Sequence, residues 1–247
     1  MGNSKIVLFE EDERSLNYKF EKFSDRLRST EILSLEYDKE EFLNKYEIIG
    51  QEPELGSVYY KHPNKPGFYV NSSLDEYYFM EEKIEFYAKV AQLLGATGFE
   101  ATVVLDSIEE MDFNGNGDFK YKVVEFDSTY RKNETNKISQ RLELKRKIEK
   151  KTDFDIEKGF IKANDFVKSH NFSADTKLQG LIDSRDPEND SFNKEQTLKT
   201  EITSDYNQLL EFSAGLNVMK DVFELNMGFS KKFKSIKKVN LDMVIYF

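Results

Sequence analysis

The sequence predicts an α+β fold, with a βα-type N-terminal portion, a capped helix and then a largely antiparallel sheet of long strands with a helical insertion. Three observations carry that expectation. Between Thr97 and Lys151 apolar residues alternate in long runs, the period of half-buried strands. Ahead of them, Leu16, Phe20, Phe23 and Leu27 recur at helical spacing between two short apolar runs, as in a strand–helix–strand unit. Only four prolines and twelve glycines interrupt the 247 residues, and few breakers favour long regular elements.

In chain order, Lys5–Phe9 and Thr30–Tyr37 are predicted strands, parallel neighbours joined by the Leu16–Leu27 helix, and Lys39–Tyr46 a short helix. Gln51–Pro66 holds three of the four prolines and is the expected boundary between a βαβ-like portion, 1–50, and an α+β domain, 51–247. Ser57–Tyr60 and Gly67–Val70 are expected to pair as a hairpin. Ser73-Leu-Asp-Glu76 fits a capping box. It opens a helix marked by Tyr77, Ile84, Tyr87, Ala88, Ala91 and Leu94 and closed by Gly95.

The strands of the main sheet follow. Phe99, Ala101, Val103 and Leu105 share a face, and Phe119–Val123 returns after Asn114–Gly117. With Asn133–Asn136 as a turn, Ile138, Leu142, Leu144 and Ile148 share parity and predict a third strand over 137–151. The same residues are good helix formers, and Glu143 and Lys147 stand one helical turn apart. Helices are expected over 155–169 and around Leu178–Ile182, an exposed polar loop over 185–193, and a strand through Gln196, Leu198, Thr200 and Ile202. Tyr206–Leu216 reads as a helix, Phe223–Phe229 as a strand, and Val239–Phe247 as a paired final strand.

The composition narrows function more by exclusion than by indication. With 21 Phe and 13 Tyr the chain can fill a core despite 33% charged residues. A net charge of −10 argues against neutralising a phosphate backbone. There is no cysteine, which removes disulfides, thiol nucleophiles and thiolate metal sites. Met1–Phe9 carries too short an apolar run for a signal peptide, so a soluble, cytoplasmic protein is expected.

Two stretches suggest chemistry. Lys5-Ile-Val-Leu-Phe-Glu-Glu-Asp12 resembles the opening of a response-regulator receiver domain, where acids after a strand hold magnesium. That family also has a phosphoacceptor Asp after its third strand. Ser57–His62 stands there in this chain, so nothing is carried over. Asp112-Phe-Asn-Gly-Asn-Gly-Asp118 spaces oxygen ligands like a calcium loop. Val123 occupies the place of the closing acid, and Asn-Gly between alternating runs is the signal of a hairpin turn. His62 and His170 both lie in polar segments expected to be exposed. No catalytic constellation, metal site or cofactor is expected.

The leading expectation is a non-enzymatic protein-interaction or self-assembly protein that uses its long antiparallel sheet. The candidate binding face is a basic strip of Arg141, Lys145, Lys147, Lys151, Lys231, Lys232 and Lys234. One alternative is a membrane-perturbing, pore-forming protein, because long amphipathic strands flanking a helical cluster are similar in layout to gasdermin and perforin-like proteins. The other is an enzyme pairing carboxylates with His62 or His170.

Overall fold

The computed structural model describes residues 6–13, 15, 30–74, 77–113, 119–125, 127–149, 153–202 and 235–247. The chain is α+β, as its periodicities predict. By its contacts it divides into two compact units, Met1–Glu76 with Asp205–Lys234, and Tyr77–Ser204 with Ser235–Phe247.

The first unit is built on a five-stranded sheet. Strands β1 (Ile6–Glu10), β2 (Thr30–Ser34), β3 (Glu47–Ile49), β4 (Val58–Lys61) and β5 (Phe68–Asn71) lie in the order β2-β1-β4-β5-β3. β1 and β2 are parallel, and β4 and β5 form the expected antiparallel hairpin. The sheet therefore takes strands from both sides of residue 50. Helix α1 (Lys39–Lys45) buries Phe42 against it. Phe9, Phe42, Tyr59 and Tyr69 meet mostly edge to face, with centroids 5.1 to 6.0 Å apart, the geometry aromatic quadrupoles prefer. The expected Leu16–Leu27 helix, Tyr206–Leu216 helix and Phe223–Phe229 strand lie outside the described residues.

The second unit carries the long strands. β6 (Gly98–Phe113), β7 (Phe119–Val124), β8 (Leu144–Lys147), β9 (Glu195–Glu201) and β10 (Ser235–Tyr246) form a sheet in the order β7-β6-β10-β9, with β8 also on β6. Phe113 pairs with Phe119, so strands and not helices flank the Asn-Gly stretch. The turn itself lies outside the described residues. Phe99, Ala101, Val103, Leu105, Leu198, Val239, Leu241, Met243 and Ile245 are buried on one face. Their alternation is what the sequence showed. The pairing with β10 skips Asp106. That bulge shifts parity, so Ile108 and not Ser107 continues the buried row.

Four helices of this unit fall among the described residues. α2 (Tyr78–Leu93) buries eight of its residues. α3 (Ser128–Leu142), α4 (Ile156–Ser169) and α5 (Thr176–Asp183) complete the set. Asp155 and Asp175 cap α4 and α5, each accepting hydrogen bonds from first-turn N–H groups. The capping box expected at Ser73 does not open α2. That helix starts at Tyr78, its N-cap Tyr77 makes no side-chain capping bond, and the Ser73 N–H donates to Asn71 Oδ1 at 2.7 Å. Asn71 competes for that N–H because a short amide can close its own turn.

The third strand expected over 137–151 is corrected. Residues 128–142 are helix, 144–147 alone are strand, and Asn133–Asn136 lies within α3. Ile138 and Leu142 share parity, but four residues is also one helical turn, and both are buried as a helical stripe. Asp127, which accepts from the Tyr130 N–H at 2.8 Å, starts the helix. β7 holds β6 at 108–113 and β8 holds it at 98–101. α3 covers the edge between them, where Ser139 Oγ donates to Val103 O and Arg131 donates to Asp106 O at the bulge.

α3 is also tied to β10 through charge. Glu134, buried, accepts from Lys137 at 2.6 Å and from Lys237 at 3.3 Å, and Lys237 reaches Tyr77 Oη at 3.0 Å. The hydrogen bond from Lys137, with Lys237 adding to it against desolvation, holds the Glu134 carboxyl below the usual range. A depressed acid contributes stability above its unfolded pKa and loses it as pH falls through the folded value. The thermal midpoint is therefore expected to fall below a pH of about 4, with a shallower fall in Glu134→Gln. An identical acid slope in that variant would show that the network plays no part.

Candidate functional site

One face of the second unit's sheet is filled by the core, and the opposite face is open. Side chains alternate across a strand, so burial of the odd positions of β6 and β10 turns Glu100, Thr102, Val104, Asn240, Asp242, Val244 and Tyr246 outward. Register places them in rows. Tyr246 lies between Glu195 and Gly98, and beyond Gly98 comes Lys147. The next row runs Thr197, Val244, Glu100, Lys145. Then follow Lys199, Asp242 and Thr102, and finally Glu201, Asn240 and Val104.

The face mixes apolar groups with two closed ion pairs and with the further charges of Lys147, Glu195 and Glu201. Val104 is 46% exposed and Tyr246 36%. Lys145 pairs with Glu100 at 2.6 Å and Lys199 with Asp242 at 3.1 Å. Gly98 has no side chain to fill its row, and its missing Cβ would lie 3.8 Å from the Tyr246 ring. There the face dips into a cavity of about 370 Å³ lined by Thr97, Gly98, Glu100, Lys145, Lys147 and Tyr246. Lys147 is exposed and forms no ion pair among the described residues.

Of the basic strip, Arg141, Lys145 and Lys147 lie among the described residues. Lys145 and Lys147 share the open face. Arg141 sits on α3, bonded to Glu81 at 2.6 Å, with its guanidinium 4.9 Å from the Tyr77 ring centre. Arg146, on the core side of β8, pairs with Glu85. Lys151, Lys231, Lys232 and Lys234 lie outside the described residues. Glu81 of α2 and Glu100 of β6 supply the ion-pair partners of Arg141 and Lys145.

A second cavity, of about 420 Å³, lies where the end of α2 meets the start of α4. Its floor includes Leu93, Ile148 and Phe154, and Lys89 and Lys162 stand at its rim. Phe154 fills a slot that two glycines leave. A Cβ on Gly95 would come within 2.5 Å of its ring, and one on Gly159 within 2.5 Å of Leu93 O and 2.7 Å of the ring.

Both histidines have structural positions, and His62 corrects an expectation. It is 2% exposed, not exposed as its polar neighbours suggested. Its Nδ1 accepts the N–H groups of Asn64 and Lys65, each at 3.0 Å, and so organises the turn between β4 and β5. His170 follows α4. Its Nδ1 lies 2.8 Å from Phe166 O, and its ring packs 4.3 and 5.3 Å from the rings of Phe166 and Phe86.

Arg185 is a further correction. It opens the loop expected to be exposed, yet it is 7% exposed. Its guanidinium lies 4.6 Å from the Phe192 ring centre and 4.1 Å from that of Phe247, and it donates to Asn193 O at 3.3 Å. Burial lowers its pKa from the usual value. Aromatic faces stand in here for a counter-ion. Of the residues missed by sequence reasoning, Tyr246 was the most accessible, since it lies on the polar parity of an alternating strand. The seat of Arg185 joins residues far apart in the chain and left no local signal.

Among the described residues no group of three or more His, Cys, Asp or Glu could hold a metal ion, and no helix is long and apolar enough to cross a membrane. No protein-family model, curated protein or solved structure matches the chain.

Proposed function

We propose that this protein is a non-enzymatic protein-interaction module that meets a protein partner through the open face of the second unit's sheet. The observation that carries the reading is the pairing of exposed Val104 and Tyr246 with ion pairs that are already closed. Interfaces are built around aromatic and apolar anchors. A lone buried charge is costly, whereas a closed pair can be covered at much lower cost when its geometry is good. The net charge of −10 argues against a nucleic acid as the partner. The positions of His62 and His170 support the same reading, because each nitrogen placed by its geometry serves the backbone of its own turn or helix end.

A photoreactive residue at position 104, activated in cells, tests it. A discrete covalent adduct is expected there, absent when the probe is moved to Asn136 on α3 and lost with Tyr246→Ser. Diffuse labelling that ignores Tyr246→Ser would count against the open face. Turnover of a substrate abolished by His62→Ala or His170→Ala in a folded protein would overturn the non-enzymatic reading.

A further inference from the structure

β9 is the outer strand of its sheet, and one side of its backbone pairs with no strand among the described residues. On the β10 side, Ile202 N–H donates to Val239 O at 2.8 Å and Phe247 N–H to Lys194 O at 2.9 Å. In an antiparallel ladder the bonding direction alternates by residue. The even positions of β9 therefore face β10, and Glu195, Thr197, Lys199 and Glu201 turn their N–H and C=O groups outward. Of these, the Glu201 carbonyl accepts from Lys83 Nζ at 3.4 Å. Glu195, Thr197 and Lys199 have no outward backbone partner among the described residues.

Exposed edges invite pairing, and charge decides whether it succeeds. β8 presents Lys145 and Lys147 on the open face, so two copies of β8 would set lysine against lysine. β9 differs, because its open-face residues read Glu195, Thr197, Lys199, Glu201. Opposite residues in an antiparallel pair share a face, which restricts the registers for self-pairing. A register centred on Leu198 opposes Glu195 and Glu201, and one centred on Lys199 opposes lysine with lysine. Centred on Thr197, Glu195 lies across from the partner's Lys199 at both ends, with threonine facing threonine between them. Opposite charges and Thr–Thr contacts are the cross-strand pairs that stabilise sheets. All three opposed pairs are of the outward-facing type, which exchange two backbone hydrogen bonds each. Lys199 bonds Asp242 within the chain but remains largely exposed, with ammonium protons to share.

We infer that β9 is a self-pairing edge, through which two copies of this chain join antiparallel about Thr197. The inference goes beyond the open-face reading, since it is argued from the edge of β9, and it names a second copy as one partner. Two four-strand faces then become one continuous face that carries Tyr246 and Val104 twice.

Sedimentation of the full chain tests this. A dimer is expected for the parent, weakened about tenfold or more in Glu195→Lys and in Lys199→Glu, each of which turns two attractive pairs repulsive. Mixed in equal amounts, these two variants should associate as tightly as the parent, because lysine then meets glutamate at both ends. Thr197→Pro removes an outward N–H but no bond to β10, and should give a monomer whose thermal midpoint equals that of the parent at dilutions where the parent is also monomeric. A parent that stays monomeric at high concentration overturns the inference, as does a dimer indifferent to all three substitutions. If the chain is monomeric but the adduct at position 104 persists, self-pairing fails and the interaction reading stands. If the dimer forms and the adduct is absent, self-pairing stands and the open-face reading fails.

Discussion

Gly95→Ala is expected to destabilise the second unit by about 2–3 kcal/mol, measured as a lower urea midpoint with an unchanged slope. Two effects add. Gly95 has φ of +90°, closing α2 in a conformation that costs an L-residue roughly 1–2 kcal/mol. The new Cβ would also stand 2.5 to 2.9 Å from three atoms of the Phe154 ring. The ring can withdraw toward the neighbouring cavity, which limits the steric part. Phe154→Ala separates the two. In that background Gly95→Ala should lose its steric share and keep the backbone share. If the loss disappears altogether, the positive φ contributes nothing. Gly159→Ala is expected to cost at least as much, since its Cβ would stand 2.5 Å from the backbone oxygen of Leu93, which cannot swing away, and 2.7 Å from the Phe154 ring, against a gain of only about 1 kcal/mol in helix propensity.

Asp175→Ala should cost about 2–3 kcal/mol, because one carboxylate serves two structures. Its Oδ1 caps α5 by accepting from the Lys177 and Leu178 N–H groups at 3.0 and 3.1 Å. Its Oδ2 accepts from the Tyr87 hydroxyl at 2.7 Å, and Tyr87 is fully buried on α2. Burial, followed by this carboxylate, pushes the Tyr87 pKa well above the usual phenol value, so the neutral phenol is the form the fold holds. Asn at position 175 keeps a capping oxygen and should lose about 1 kcal/mol or less. Tyr87→Phe removes the bridge and leaves the cap. A double-mutant cycle on Tyr87→Phe and Asp175→Ala that shows strict additivity would mean that the two helices are not coupled through this bond.

The capping role of Asp175 could be read locally, since Asp before Leu178–Ile182 is an ordinary helix start, but its bond to Tyr87 spans 88 positions. The same contrast holds for the candidate site. The stripe of Val239, Leu241, Met243 and Ile245 announces both a buried face and, by parity, the open face of Asn240, Asp242, Val244 and Tyr246. What the stripe does not announce is who stands beside whom. Lys145 reads as part of a basic run until register sets it against Glu100, and Arg146 until it meets Glu85 on α2.

By itself the sequence determined β1, β2, β4, β5, β6, β7, β9 and β10, the helices α1, α2, α4 and α5, and the apolar face of the long strands. Periodicity is a local property, and hydrophobic burial enforces it wherever an element is long enough. Tertiary structure decided the rest. Ile138 and Leu142 satisfy a period of two and a period of four alike, and only the stretch of β6 left open between β7 and β8 selects helix there. The depth of His62 and Arg185 was equally undetermined by their polar neighbours. The fold encloses His62 in a turn that its own ring organises, and it brings Phe192 and Phe247 to either side of Arg185, because burial follows from what packs across space and not from what lies next in the chain.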